Sequence, residues 1–188
     1  IKFNKYNFLI TVNSFIEDDL NIKNYLNSIF RAIKKFKKTN YIFTMPNSDL
    51  KSDIIKKEIL KFCKKNQNSY CFKSLGSQNY LSLMKISDLV LGNSSSGILE
   101  APSMKIPTVN IGNRQQGRVQ SKTIINCNAS TYAVYKSIKK CLSKKFIKKV
   151  QKSNNPYYKK GTALNIKKII ENKIINKKKE FKIFYDIK

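Results

Sequence analysis

Two short segments of the sequence combine residue types that can do chemistry. The first is Gly92-Asn93-Ser94-Ser95-Ser96-Gly97-Ile98-Leu99-Glu100-Ala101-Pro102; the second is Gly112-Asn113-Arg114-Gln115-Gln116-Gly117-Arg118. Four of the six glycines and two of the three arginines fall between Gly92 and Arg118, and Glu100 is the only acidic residue between Asp88 and Glu171. In the first segment, small hydroxyl residues and Gly let a ligand approach the backbone. A helix opening there presents free N–H groups and a partial positive charge. That combination suits an anion, and a diphosphate fits it best. The string is neither a Walker A loop nor GxGxxG. Glu100 falls about one turn inside the helix, too close to a phosphate to bind it, but able to accept two hydrogen bonds from a vicinal diol such as a ribose. In the second segment, Arg114 and Arg118 offer planar forks that match phosphate or carboxylate, which Lys does not. Both segments also have plainer readings: a Ser N-cap followed by a solvated Glu, and a flexible basic loop.

The elements that must position these segments alternate in period. Strands are expected over Tyr6–Val12, Tyr41–Met45, Tyr70–Phe72, Asp88–Leu91, Thr108–Ile111 and Thr123–Asn126. Helices are expected over Leu20–Lys38, from a turn at Pro46–Asp49 to about Lys64, and over Gln78–Ile86, Ser95–Met104, Tyr132–Leu142 and Thr162–Asn176. A polar, Lys-rich stretch joins the last two. Strand alternating with helix predicts an α/β fold, a Rossmann-like parallel sheet with helices on both faces, whose ligands bind at the carboxyl ends of the strands. Both segments follow strands and so face that edge. The expected organisation is one domain over residues 1–160 with a basic helix and tail over 161–188.

Composition limits the partners. The chain has 188 residues and a formal charge of +27. With 35 Lys against 3 Arg, and Lys, Ile, Asn, Phe and Tyr making up more than half of the residues, AT-rich codon usage accounts for much of that charge. A nucleic-acid groove would interleave Arg and exposed aromatics into a basic strip, so the pattern argues against nucleic acid as the main partner. No apolar run reaches the roughly 18 residues of a membrane span. The absence of His removes every Ser-His or Cys-His nucleophile, and Cys63, Cys71, Cys127 and Cys141 lack metal-ligand spacing, so no metal and no cofactor is expected. The cysteines read as free thiols of a reducing cytoplasm. The opening at Ile1, without Met, reads as a fragment of something longer that carries no secretory signal.

The run from Gly92 to Arg118 closely resembles the C-terminal domain of hydrolysing UDP-N-acetylglucosamine 2-epimerases of the bacterial sialic-acid and legionaminic-acid type. Further matches are Thr44–Asp49, Ser74-Leu75-Gly76 followed by Tyr80-Leu81-Ser82, Ile125-Asn126-Cys127, Asn155-Pro156-Tyr157 and Phe184–Ile187, so the resemblance runs through essentially the whole chain. It implies the second half of a GT-B-like two-domain fold, with the UDP-sugar in the cleft against an N-terminal domain of the same protein that is absent here. It implies that Ser94, Ser95, Ser96 and Gly97 hold the diphosphate, that Glu100 takes the ribose hydroxyls, that Tyr80 lies against uracil, and that Arg114 and Arg118 belong to a mobile loop near the nucleotide. By packing alone, Tyr80 reads equally as a core aromatic. The catalytic carboxylates are implied to lie in the N-terminal domain, leaving no catalytic residue in this chain and no turnover by it alone. Family members often form dimers, so a homodimer is compatible with the resemblance.

Two departures stand out. Where the family usually carries a His after the first strand, this chain has Asn13, which can hydrogen-bond a phosphate or sugar but cannot carry a proton at neutral pH. The family's acidic stretch after Asn-Pro-Tyr is here Tyr158-Lys159-Lys160-Gly161. Both bear on activity more than on fold. Two other readings compete: the donor half of a GT-B glycosyltransferase or a non-hydrolysing epimerase, and a non-enzymatic basic module for nucleic acid.

Overall fold

The computed structural model describes residues 2, 4–14 and 22–175. The chain divides into two compact units, residues 1–156 and 157–188.

In the first unit, six strands form one parallel sheet: β1 (Tyr6–Thr11), β2 (Thr39–Thr44), β3 (Ser69–Phe72), β4 (Leu89–Gly92), β5 (Thr108–Ile111) and β6 (Ile124–Cys127), in the order β3-β2-β1-β4-β5-β6. The expected α/β class with a parallel sheet is what forms. The chain winds outward from β1 to β3, then returns across the sheet to lay β4 on the other side of β1. Thr11 and Gly92 face each other at the carboxyl ends of these two strands. A winding reversal of this kind opens a crevice at the strand ends.

Alternate strand residues point to opposite faces. Phe8, Ile10, Tyr41, Phe43, Leu91, Val109 and Ile111 pack with α1 (Ile22–Ile33), α2 (Ser52–Lys65), α5 (Thr131–Cys141) and α6 (Lys144–Gln151). Leu9, Ile42 and Val90 pack the other way, against Met84 of α3 (Gly76–Ile86) and Ala101. The first layer contains the stacked pair Phe30–Phe62, with ring centroids 4.4 Å apart, and is much the thicker.

Several elements differ from the expected bounds for local reasons. Helix α1 stops at Ile33, and Lys38 takes a left-handed φ of 52° just before β2 begins; the expected start at Leu20 lies outside the described residues. Helix α2 is not capped by the Pro46–Asp49 turn: its N-cap is Lys51, again left-handed, while Ser52 N–H donates to the Asp49 carbonyl. The expected Ser95–Met104 helix breaks into α4 (Ser96–Leu99) and a 3₁₀ turn over Ala101–Met104. Pro102 has no N–H for the Ile98 carbonyl, so the α ladder cannot continue, and Ser103 bonds three residues back to Glu100. The Lys-rich stretch hides α6, capped by Ser143, whose Oγ accepts from Phe146 N–H, and anchored by buried Phe146 and Val150 one turn apart.

The second unit contains α7 (Thr162–Ile170), which follows a left-handed Gly161 and passes into a wider helical turn over Glu171–Ile175. Leu164, Ile166, Ile169 and Ile170 are exposed. The expected end at Asn176 and the Phe184–Ile187 match lie outside the described residues. No helix among the described residues is long and apolar enough to cross a membrane.

Candidate functional site

The loops after β1, β2, β4 and β5 meet above the β1/β4 boundary, and asparagines tie them together. Asn93, buried directly after β4, accepts from Asn13 N–H through Oδ1 (2.7 Å) and donates to the Asn13 carbonyl through Nδ2 (2.8 Å). Asn13 in turn accepts from Asn47 N–H at 3.1 Å. The residue in the usual His position is thus 4% exposed and binds the β2–α2 loop to the β1 loop. Its side-chain oxygen is engaged inside the protein.

Beneath this knot, hydroxyl groups follow one another. Thr44 and Thr11, at the ends of β2 and β1, share a hydrogen bond of 2.6 Å. Thr11 reaches the Tyr80 hydroxyl at a long 3.5 Å, Tyr80 meets Ser96 Oγ at 2.7 Å, and Ser96 meets Ser94 Oγ at 3.0 Å. The Tyr80 ring packs against the Leu9–Ile42–Met84 cluster, as the core-aromatic reading expects, and its hydroxyl reaches Ser96. Ser95 is the N-cap of α4 and makes no side-chain capping bond.

Glu100 follows α4 by one residue, its N–H donating to the Ser96 carbonyl. The side chain is partly buried, and Oε2 is fully enclosed with no hydrogen-bond partner. Burial pushes its pKa above the ordinary carboxylate range, with a hydrogen bond to its own backbone pulling slightly the other way. A buried carboxylate oxygen without a donor is costly and so marks a place for one. The solvated-Glu reading is therefore set aside.

The two glycines here do different work. Gly92 has φ 134°, and a Cβ on it would lie 2.0 Å from the Thr11 carbonyl oxygen, so β1 and β4 close only over a bare Cα. Gly97 is also constrained, but by the sheet: a Cβ would lie 2.7 Å from Thr108 Cγ2 and 3.5 Å from Val90 Cγ1. Its smallness seats α4 on β4 and β5. That packing demand stands beside the expected backbone contact of Gly97 to a diphosphate.

The arginines separate. Arg114 donates from Nε to the Ser14 carbonyl (3.3 Å) and from Nη1 to the Asn93 carbonyl (3.2 Å), where buried Gln115 also donates (2.9 Å). Arg114 braces the crest through these two bonds. Arg118 lies on the exposed part of the loop, beyond Gly117.

Sequence reasoning passed over Thr11 and gave no role to Thr44, Asn93, Gln115 and Asn155, though each stands in a segment it singled out. Asn155 Nδ2 donates to the Leu99 carbonyl and to Ser103 Oγ, both at 2.7 Å, bracketing Glu100 on either side. The signal available was the conformational one: an Asn-Pro pair that ends a polar stretch. Asn155→Ala should cost about 1 kcal/mol of stability and loosen the Glu100 turn. Urea unfolding checks the first effect and amide hydrogen exchange at Glu100 the second; unchanged exchange there would mean that the turn is held without Asn155.

Among the described residues, no three His, Cys, Asp or Glu side chains gather as metal ligands. Cys63, Cys71, Cys127 and Cys141 are free thiols, and burial pushes Cys63 up to about 12.

The sequence profile of the family described as UDP-N-acetylglucosamine 2-epimerase matches residues 8–171. The polysialic acid biosynthesis protein P7 of Escherichia coli is 40% identical over 167 residues, covering 88% of this chain and 42% of that protein. The GDP/UDP-N,N'-diacetylbacillosamine 2-epimerase (hydrolyzing) of Campylobacter jejuni is 42% identical over 130 residues, covering 67% of this chain and 33% of its own length. The crystal structure of UDP-GlcNAc 2-epimerase from Neisseria meningitidis bound to UDP-GlcNAc superposes with a TM-score of 0.67 at 19% identity, over 92% of this chain and 45% of that one. That likeness shows the fold. The chain spans less than half the length of these relatives.

Proposed function

The chain belongs to the UDP-N-acetylglucosamine 2-epimerase family, and on that premise we propose that it is the UDP-binding half of a hydrolysing member, which converts UDP-N-acetylglucosamine and water to N-acetylmannosamine and UDP. The observation that carries the reading is the enclosed, partnerless Oε2 of Glu100, one residue beyond a helix that opens with Ser95 and Ser96. The carboxylate is half-buried, and on its open side a ribose diol can offer it hydrogen-bond donors that the protein does not. Ser94, Ser95 and Ser96 offer hydroxyl groups to the diphosphate, and the Tyr80 ring offers a face to the base. Arg114 adds positive charge beside the leaving group.

In the proposed reaction, a base removes the C2 proton while the C1–O bond to UDP breaks, giving a 2-acetamidoglucal. Water then adds across C1 and C2, with hydroxyl at C1 and a proton delivered to the opposite face of C2. The half described here serves the second event of the first step. Diphosphate departs with its negative charge met by oriented hydroxyls and a guanidinium, which lowers the barrier only if those groups are already in place. The knot of Asn13, Asn47 and Asn93 supplies that order. The proton-transfer groups belong to the other half of the protein, so this chain alone binds nucleotide without turning it over. A reducing cytoplasm and the supply of N-acylmannosamine for an acidic sugar fit the same reading.

Thermal unfolding of the chain with increasing UDP tests this. A ligand that binds only the folded state at a hundred times its Kd adds about 2.7 kcal/mol, which corresponds to a rise in Tm of several degrees for a chain of this size. RNA, added separately, should perturb the chain little. A Tm indifferent to UDP but responsive to RNA with a steep salt dependence overturns the reading in favour of a basic nucleic-acid module.

A further inference from the structure

We propose that Tyr25, a buried residue in the first turn of α1 and outside the site itself, is the positioning residue that sets the loop carrying Arg114 over the nucleotide site. The inference rests on the nucleotide reading above and extends it to a neighbouring element. Tyr25 is 5% exposed, and its hydroxyl donates to the Ile111 carbonyl at 2.9 Å, across 86 residues of sequence. Ile111 ends β5, and the loop with Arg114 and Gln115 begins at the next residue.

The Ile111 carbonyl needs a donor because the sheet leaves it without one. Carbonyls of alternate residues along a strand face the same neighbour. Val90 N–H of β4 donates to the Pro107 carbonyl, so the carbonyls of Val109 and Ile111 also face β4. The β4/β5 register stops at Gly92–Asn110, one residue short of Ile111. On the other side, Gly112 N–H donates to the Cys127 carbonyl, and a trans peptide points its N–H and C=O in opposite directions. The carbonyl of that same peptide therefore points away from β6, into the place β4 has left. A buried carbonyl there is costly unless something donates to it. Tyr25 does so, and burial pushes its phenol pKa far above the ordinary value, so it stays a donor at any working pH.

The same ring seats the turn that follows. Gly112 has φ 79°, and a Cβ on it would lie 3.6 Å from Tyr25 Cε2, so the ring edge lies against the bare turn. Beyond it the loop is closed by its own bonds. Gln116 N–H donates to the Asn113 carbonyl at 2.7 Å, and Arg118 N–H to the Gln115 carbonyl at 3.4 Å. A loop closed on itself moves as a piece, so fixing its first peptide fixes what it carries. It carries Arg114 and Gln115, which reach the Ser14 and Asn93 carbonyls. The two Arg114 bonds, at 3.3 and 3.2 Å, are longer than ordinary charge-assisted ones. A small tilt of the loop at Ile111 would release them.

Tyr25 also fills the core, but Phe would fill it as well. The hydroxyl adds the bond to the loop, and the proposal concerns the hydroxyl alone. Tyr41 supplies the comparison. It is 3% exposed in the same cluster, and its hydroxyl donates to the Ile33 and Phe36 carbonyls at 3.0 and 3.2 Å. Those carbonyls lie at the opposite end of α1 from Tyr25.

The test compares Tyr25→Phe with Tyr41→Phe, each of which removes one buried hydroxyl and keeps its ring. Tyr25→Phe should bind UDP about tenfold more weakly, roughly one hydrogen bond. Tyr41→Phe should bind it as the parent does, whatever each variant loses in Tm. The chain has three arginines, so the Arg114 Nε–H signal can be followed by NMR without ligand. Its exchange with water should quicken in Tyr25→Phe and not in Tyr41→Phe. In an Arg114→Gln background, Tyr25→Phe should weaken UDP binding no further. By linkage, a bond that favours UDP is favoured by it, so UDP should slow exchange of the Tyr25 hydroxyl proton in the parent, a measurement that needs no variant to fold. Unchanged UDP affinity in Tyr25→Phe, equal losses of affinity in the two variants, or a hydroxyl proton indifferent to bound UDP overturns the proposal. A parent chain that ignores UDP refutes the nucleotide reading instead, while the Arg114 signal still shows whether Tyr25 holds the loop.

Discussion

Glu100→Gln is expected to weaken UDP binding about a hundredfold while making the ligand-free chain more stable. Hydrogen bonds to a charged group are worth about 1.5–3 kcal/mol each, and a factor of a hundred needs about 2.7 kcal/mol. Exchanging the carboxylate for an amide removes the charge assistance from two ribose hydroxyls and leaves an N–H₂ where an acceptor is needed. Stability moves the other way because of the direction of the Glu100 shift. Its pKa is raised in the folded state by burial, so its favourable contribution is complete below the ordinary carboxylate pKa and is lost as pH rises through the raised value. At neutral pH the ionised group opposes folding, and Gln relieves that. The same sign governs the ligand: UDP prefers the carboxylate, so below the raised pKa binding expels a proton, and affinity climbs with pH until the raised titration is complete, then levels. Calorimetric titration across that range, with urea unfolding of both proteins, checks all three. A Gln variant that binds UDP as well as the parent removes Glu100 from the nucleotide site.

Gly92→Ala is expected to abolish folding. The added methyl would lie 2.0 Å from the Thr11 carbonyl oxygen, a backbone atom that cannot rotate away, at φ 134°. Separating the strands there would break the β1/β4 register from Phe8–Leu89 to Thr11–Gly92 and pull Asn93 off Asn13. A cost above about 4 kcal/mol is exceptional for one substitution, but here strain and lost pairing act together. Gly117→Ala is the control: φ is 80°, yet nothing lies within 4 Å, so only the left-handed backbone penalty of about 1–2 kcal/mol applies. Circular dichroism of the two variants separates close approach from backbone preference. A folded Gly92→Ala protein with normal melting would show that the two strands have slack at their ends.

The parts of this molecule that sequence reveals are those whose cause is local. Strand β5 was expected over Thr108–Ile111 and lies there, because a proline before it and a glycine after it bound a short apolar run. The isolation of Glu100 in a basic chain marked it for attention before any coordinates. Causes that act at a distance did not show. Strand order depends on which side of β1 the returning chain lays β4. Arg114 looked like a ligand fork, but one of its partners is the Ser14 carbonyl, 100 residues away. That Gly97 must stay small to seat α4 depends on the position of Thr108, which the local sequence does not show. Helix α6 was hidden because two buried residues among lysines give too faint a period.

The hydroxyls running from Thr44 through Thr11, Tyr80 and Ser96 to Ser94 have a further consequence. Ser96 Oγ donates to Ser94 Oγ, so with one hydrogen per hydroxyl the file runs one way, from Thr44 through Thr11 and Tyr80 to Ser96 and Ser94. The hydrogen of Ser94 is left over at the end of the file. An oxyanion arriving there meets a donor that no member of the file competes for, and no oxygen has to shift to provide it.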